Sequence, residues 1–138
     1  MSAEEEALVR RAIEAHNRGG DELLAMYDEM FDPELEWHPM TVGVMGAPEG
    51  QTYRGREGME RFYAEHAEVF ESGTVKVLSV EPAGQDALVV RARSTAKGRT
   101  SGAEVDEEIS LVYWLREGRI ARLRAFRSAD QAREAVHA

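Results

Sequence analysis

The hydrophobic residues of this chain change their spacing once, near Gly73, and that change constrains the fold more than any other feature. Before it, Val9, Ala12, Ile13 and His16 share one stripe, and Met59, Phe62, Tyr63, His66 and Phe70 share another. Steps of three and four are the period of a helical face. After Gly73 the period becomes two. Segments 74–81, 86–97, 103–116 and 119–127 alternate apolar with polar residues, and Pro82-Ala83-Gly84 and Arg116-Glu117-Gly118 are the clearest turns between them. Four strands in an antiparallel meander are predicted. Helices first and strands afterwards imply an α+β domain with the helices on one sheet face.

Local signals set the expected boundaries. Ser2-Ala3-Glu4-Glu5 is a capping box for the first helix. Gly19-Gly20 stops that helix, and Asp21 is expected to cap a second one reaching residue 30. Phe31-Asp32-Pro33 reads as a turn, because proline biases the preceding residue away from helical angles. Residues 35–38 alternate as a short strand ending at Pro39. Residues 40–52 form a long loop of the kind that serves as lid, binding loop or mobile segment. The third helix is expected over 56–72, with Gly73 as its stop. Ser128-Ala129-Asp130-Gln131 is a second capping box, opening a short C-terminal helix. No linker or repeat interrupts the chain, so residues 1–138 are read as one domain.

Composition excludes several classes of function. There is no cysteine, hence no disulfide, thiolate nucleophile or cysteine-ligated zinc. That fits a cytoplasmic protein. The acidic N-terminus lacks the apolar run of a signal peptide, and no stretch approaches the roughly 18 apolar residues of a membrane span. The formal charge of −9, from 26 acidic and 17 basic residues, opposes nucleic acid and keeps the surface dispersed. No spacing among the histidines suggests a metal site. A phosphate-binding glycine loop and a serine nucleophile elbow are also absent from the pattern, so no cofactor is expected.

Several motifs together resemble one family. They are Phe31-Asp32-Pro33-Glu34-Leu35-Glu36-Trp37-His38-Pro39, Tyr53-Arg54-Gly55-Arg56-Glu57-Gly58, Arg99-Thr100-Ser101-Gly102 and Arg116-Glu117-Gly118-Arg119-Ile120, with Ala132 and Ala135 in the tail helix. In this order they resemble SnoaL-like proteins of the NTF2-like superfamily. The resemblance implies an NTF2-like (cystatin-like) cone, in which a curved antiparallel sheet wraps around N-terminal helices and encloses a pocket. The fold hosts isomerases, cyclases, epoxide hydrolases, dehydratases and binding modules, so function must come from the site.

Strand alternation then assigns faces. Ser94 of the second meander strand, Ile109, Leu111 and Tyr113 of the third, and Leu123 of the last are expected to face the pocket, with Phe62 of the third helix. Tyr53 is expected at its mouth, and Tyr27 and Tyr113 to supply hydroxyls inside. Arg91, Arg93, Arg122 and Arg124 fall on the outer face near Asp106 and Glu108, as cross-strand ion pairs. Val112, Trp114 and Phe126 on that face suggest a homodimer interface. Trp37 is expected on the outer or edge side.

Two titratable residues carry the expected chemistry. Glu107 is in register with Val105 and Ile109. It is either a pocket carboxylate with a raised pKa, able to act as acid or base, or a rim residue with its head in water. His38 stands before Pro39 where ketosteroid isomerases, similar in fold, carry an aspartate–proline pair. It is either an acid–base group, suited by its ordinary pKa of about 6.5, or a structural histidine. His66 is either a satisfied core histidine or a second pocket group opposite His38. The isomerase tyrosine would fall near Ile13 and its protonated aspartate near Ile109 or Ser110. The aspartate–arginine–aspartate set of the epoxide hydrolases would fall on Ser94, Ala92 and Ala125. Neither set is present. Two readings follow: a cofactor-independent isomerase, cyclase or hydrolase acting on a small apolar metabolite, or a non-catalytic ligand-binding or dimeric module.

Overall fold

A computed structural model of the chain describes residues 3–39 and 52–137. Helices α1 (Ala3–Arg18), α2 (Gly20–Ala25) and α3 (Tyr27–Met30) precede strand β1 (Phe31–His38). The short strand β2 (Tyr53–Arg54) leads into α4 (Gly55–Val69). The meander follows as β3 (Phe70–Ala83), β4 (Ala87–Gly98), β5 (Glu104–Arg116) and β6 (Arg119–Phe126), and α5 (Ala129–His137) ends the described chain. The capping box at Ser2 and residues 40–51 of the long loop lie outside the described residues.

The strands form one sheet in the order β2-β1-β6-β5-β4-β3. Neighbours are antiparallel except β1 and β6, which run parallel, so the sheet is mixed rather than wholly antiparallel. A parallel pair needs a long crossover, and β2 and α4 lie on that route. Irregular register between Phe31 and Glu36, Val77 and Ser79, and Trp114 and Leu115 bends the strands and curls the sheet around the N-terminal helices. This is the α+β cone of the NTF2-like kind.

Three boundaries differ from expectation, each for a local reason. Pro33 opens β1 instead of making a turn. It sits in the irregular stretch between Phe31 and Glu36, where no ladder donor is required of it. Helix α4 stops at Val69 because Phe70 already pairs with Gly98 and Val69 O accepts from Arg99 N–H. Gly73 is therefore a strand residue, not a helix stop. Asp21 caps nothing; Gly19 precedes α2 without a side-chain cap, and Asp21 lies in the first turn, where a carboxylate suits the helix dipole. The other signals match. Glu117 and Gly118 take φ of 53° and 78°, the positive angles of a two-residue hairpin turn, and Ser128 Oγ accepts from Gln131 N–H at 3.2 Å.

Alternation sends the two sheet faces to different partners. Leu88, Val90, Ile109, Leu111 and Tyr113 pack inward with Val9, Ile13, Met59 and Phe62. Outward, Ala87, Val89 and Val112 form a small second cluster with Ala132 of α5, flanked by Trp114 and Phe126. The apolar outer patch that suggested a dimer is thus partly covered by the chain's own last helix, with Trp114 and Phe126 left partly exposed. The rest of that face is ionic, with Arg91–Glu108 at 3.1 Å and Arg93–Asp106 at 2.7 Å. Among the described residues no helix is long and apolar enough to cross a membrane.

Candidate functional site

Between the inner sheet face and helices α1, α2 and α4 lies a cavity of about 70 Å³, well above the roughly 10–15 Å³ that admits one water. Ile13, Leu23, Phe31, Met59 and Phe62 make much of its wall apolar. Partly buried His16, Tyr63, His66 and Val75 mark its open side. That side is fastened by Asn17, whose side chain donates to Val75 O at 2.7 Å and accepts from Val75 N–H at 2.8 Å. The amide pairs with the edge strand β3 as a neighbouring strand would.

Two glycines let aromatic rings reach the cavity. A Cβ on Gly20 would stand 2.7 Å from Tyr63 Cγ, so only glycine lets the Tyr63 ring lie there. From that position the Tyr63 hydroxyl meets His16 Nδ1 at 2.7 Å. His66, one turn further along α4, sits between the Phe62 and Phe70 rings, with centroids 5.7 and 4.8 Å away. A Cβ on Gly73 would come within 3.1 Å of His66 Cε1. The residue read as a helix stop instead makes room for a histidine.

Burial keeps these groups uncharged. It holds His16 down at about 4, with the like charge of His66 acting in the same direction. Burial also lowers His66. The hydroxyls of Tyr63 and Tyr113 are pushed up, again chiefly by burial. At neutral pH the cavity therefore presents neutral imidazoles and protonated phenols. Such groups can donate or accept a proton without the cost of an unpaired buried charge.

Phe62, His66, Ser94, Ile109, Leu111, Tyr113 and Leu123 all stand in the cavity wall. Tyr53 does not. It is fully buried behind Phe62, ring centroids 5.4 Å apart, and donates its hydroxyl to Glu65 at 2.9 Å. Tyr27 is spent in the same way, on Asp32 O at 2.9 Å. His38 lies outside the cavity because β1 turns Leu35 and Trp37 inward, and Trp37 lines the wall. The outer position left to His38 puts its Nδ1 3.1 Å from Thr52 Oγ1 and its Nε2 3.7 Å from Glu36. Burial, then Arg122, lowers its pKa. Glu107 shares the face of Ile109 but sits half-exposed and outside the wall. The groups brought together in place of His38 and Glu107 are His16, Tyr63 and His66. Their signal in the sequence was a titratable side chain on each of two apolar helical stripes.

A family model described as a SnoaL-like domain matches residues 9–123. Comparison with curated proteins gave no match. Among solved structures, the chain is similar to a putative SnoaL-like polyketide cyclase from Jannaschia sp. CCS1, with a TM-score of 0.74 and 23% identity over 100% of this chain and 96% of that one. It is similar to TerC, co-crystallized with polyporic acid, with a TM-score of 0.75 and 16% identity over 99% of this chain and 100% of that one. An NTF2-like protein of unknown function from Burkholderia pseudomallei K96243 superposes with a TM-score of 0.73 and 17% identity, over 100% of both chains. At these identities the structures show the shared fold.

Proposed function

The chain belongs to the family of SnoaL-like domains, and from that premise we propose that its cavity binds a small, largely apolar molecule with which His66 exchanges a proton. One observation carries the reading. His66 stands in the cavity wall, is held neutral by burial, and makes ring contacts only with Phe62 and Phe70 among the described residues. A neutral imidazole whose nitrogens have no hydrogen-bond partner among the described residues is a competent base near pH 7. The role first expected of His38 passes to His66, and that of Glu107 to the Tyr63–His16 pair. Likeness to a putative polyketide cyclase supports cyclisation among the expected isomerisation, cyclisation and hydrolysis, all of which one proton carrier serves without a cofactor. A cytoplasmic setting belongs to the same proposal and rests on the absence of cysteine.

A second reading, ligand binding without catalysis, is favoured by one feature. No polar group among the described residues orients the His66 ring, whereas catalytic bases are usually held by a third group. The two readings separate in two steps. A thermal-shift panel of apolar metabolites identifies ligands, since one at a hundred times its Kd stabilises by about 2.7 kcal/mol. Deuterium incorporation from D2O into a bound ketone then reports proton transfer. His66→Ala is expected to slow incorporation by about 10²–10⁴-fold. A loss of less than a few-fold removes His66 from the chemistry, and binding without exchange supports the second reading.

A further inference from the structure

The chemical class of the ligand follows from what the cavity wall lacks and from a tyrosine hydroxyl it leaves without a partner; both arguments rest on the cavity being a ligand site. Charged residues make up 31% of the sequence, yet among the described residues the wall contains no aspartate, glutamate, lysine or arginine. Its two histidines are neutral at pH 7. An ionised carboxylate or ammonium that entered would lose its water and meet no opposite charge. Glu107, the carboxylate in register with Ile109, stands outside the wall.

Tyr113 is the second, independent observation. The chain has four tyrosines. Three have hydroxyl partners: Tyr27 with Asp32 O, Tyr53 with Glu65, and Tyr63 with His16. Tyr113 is in the cavity wall and only 4% exposed, and no described residue hydrogen-bonds its hydroxyl; Trp37 Nε1, in the same wall, is a second donor without a partner. A wall hydroxyl without a protein partner is free to donate to an acceptor that enters the cavity. The side chain is well placed to fix an orientation. It projects from β5, paired on both sides, with Leu88 of β4 and Leu123 of β6 as its register partners.

We infer that the ligand is an uncharged molecule bearing a carbonyl or similar acceptor oxygen, that Tyr113 donates the hydrogen bond orienting it, and that ionised analogues are excluded. The test uses matched probes: ethylbenzene, acetophenone, benzoate and benzylamine, with their cyclohexyl and naphthyl counterparts, titrated at pH 7.5 by ligand-observed NMR. The ketones are expected to bind, and the ionised members to bind more than about a hundredfold more weakly. Tyr113→Phe should weaken the ketones by about three- to tenfold and leave the hydrocarbons unchanged. Ionised probes binding within about threefold of the ketones would overturn the charge rule while leaving the cavity as a ligand site. Ketones unaffected by Tyr113→Phe would overturn the role of Tyr113. Failure of every probe, hydrocarbons included, overturns both this inference and the cavity reading. Should Tyr113→Phe not fold, the carbonyl stretch of ¹³C-acetophenone bound to the wild type decides. A shift to lower frequency relative to hexane is expected, and an unshifted band contradicts the assignment.

Discussion

His16 and Tyr63 meet at 2.7 Å across the gap between α1 and α4, and the burial of His16 there makes stability depend on pH. In the unfolded chain His16 titrates near 6.5, and in the fold burial holds it at about 4. Between those values the unfolded state binds more protons, so stability falls as pH drops from 6.5 toward 4 and levels off below. Over the whole window the loss from this residue reaches about 3 kcal/mol. His66, lowered for the same reason, acts in the same direction. Urea denaturation at pH 7.5 and 4.5 should therefore show a smaller pH effect in His16→Gln than in the wild type. Equal effects would contradict the shift. Gly20→Ala probes the same pair from behind, since its Cβ would stand 2.7 Å from Tyr63 Cγ. Overpacking of this kind should cost about 1–3 kcal/mol, and the displaced ring should let His16 titrate closer to 6.5, followed by NMR. An unshifted His16 pKa would mean that Tyr63 does not govern its surroundings.

At the scale of elements, α5 covers part of the outer face on which a second copy of the chain was expected. Ala132 is fully buried against Val89 and Val112, while Arg133 joins Glu81 at 2.6 Å in an exposed pair. Ala132→Glu would force a charge against the apolar patch, so it should destabilise by more than about 2 kcal/mol. By exposing that patch it should also cause concentration-dependent self-association in sedimentation. Arg133→Ala should cost about 1 kcal/mol or less, and the reverse ranking would place the hold of α5 in its charges. Alternation located β3 to β6 closely because an inner face and a half-covered outer face both impose a period of two. It also showed an apolar outer patch at Val112, Trp114 and Phe126. What alternation could not show was the occupant, because a short amphipathic tail helix and a second subunit satisfy the same apolar surface. The end of α4 was hidden for a related reason. Phe70 continues the helical stripe in sequence, and only its pairing with Gly98 turns it into a strand residue.

For the molecule as a whole, the order of periods and the motifs spread along the chain made the cone legible, and the inner-face residues from Ser94 to Leu123 followed from it. The histidines of the cavity wall were less so. Trp37 was expected on the outer or edge side, which left His38 to face inward, as the likeness of His38-Pro39 to an aspartate–proline pair also implied; the packing of Trp37 into the cavity wall reverses both. His16 and Tyr63 stayed hidden because their meeting depends on two helices crossing where Gly20 carries no side chain, a long-range fact that periodicity does not encode. The four histidines now offer the most direct test. In a chain labelled with ¹⁵N-histidine, an apolar ketone is added and the four imidazole signals are followed by NMR. The cavity account predicts that His16 and His66 shift and saturate together while His38 and His137 stay still. Movement of His38 with His16 and His66 unmoved would contradict it and return the site to the end of β1.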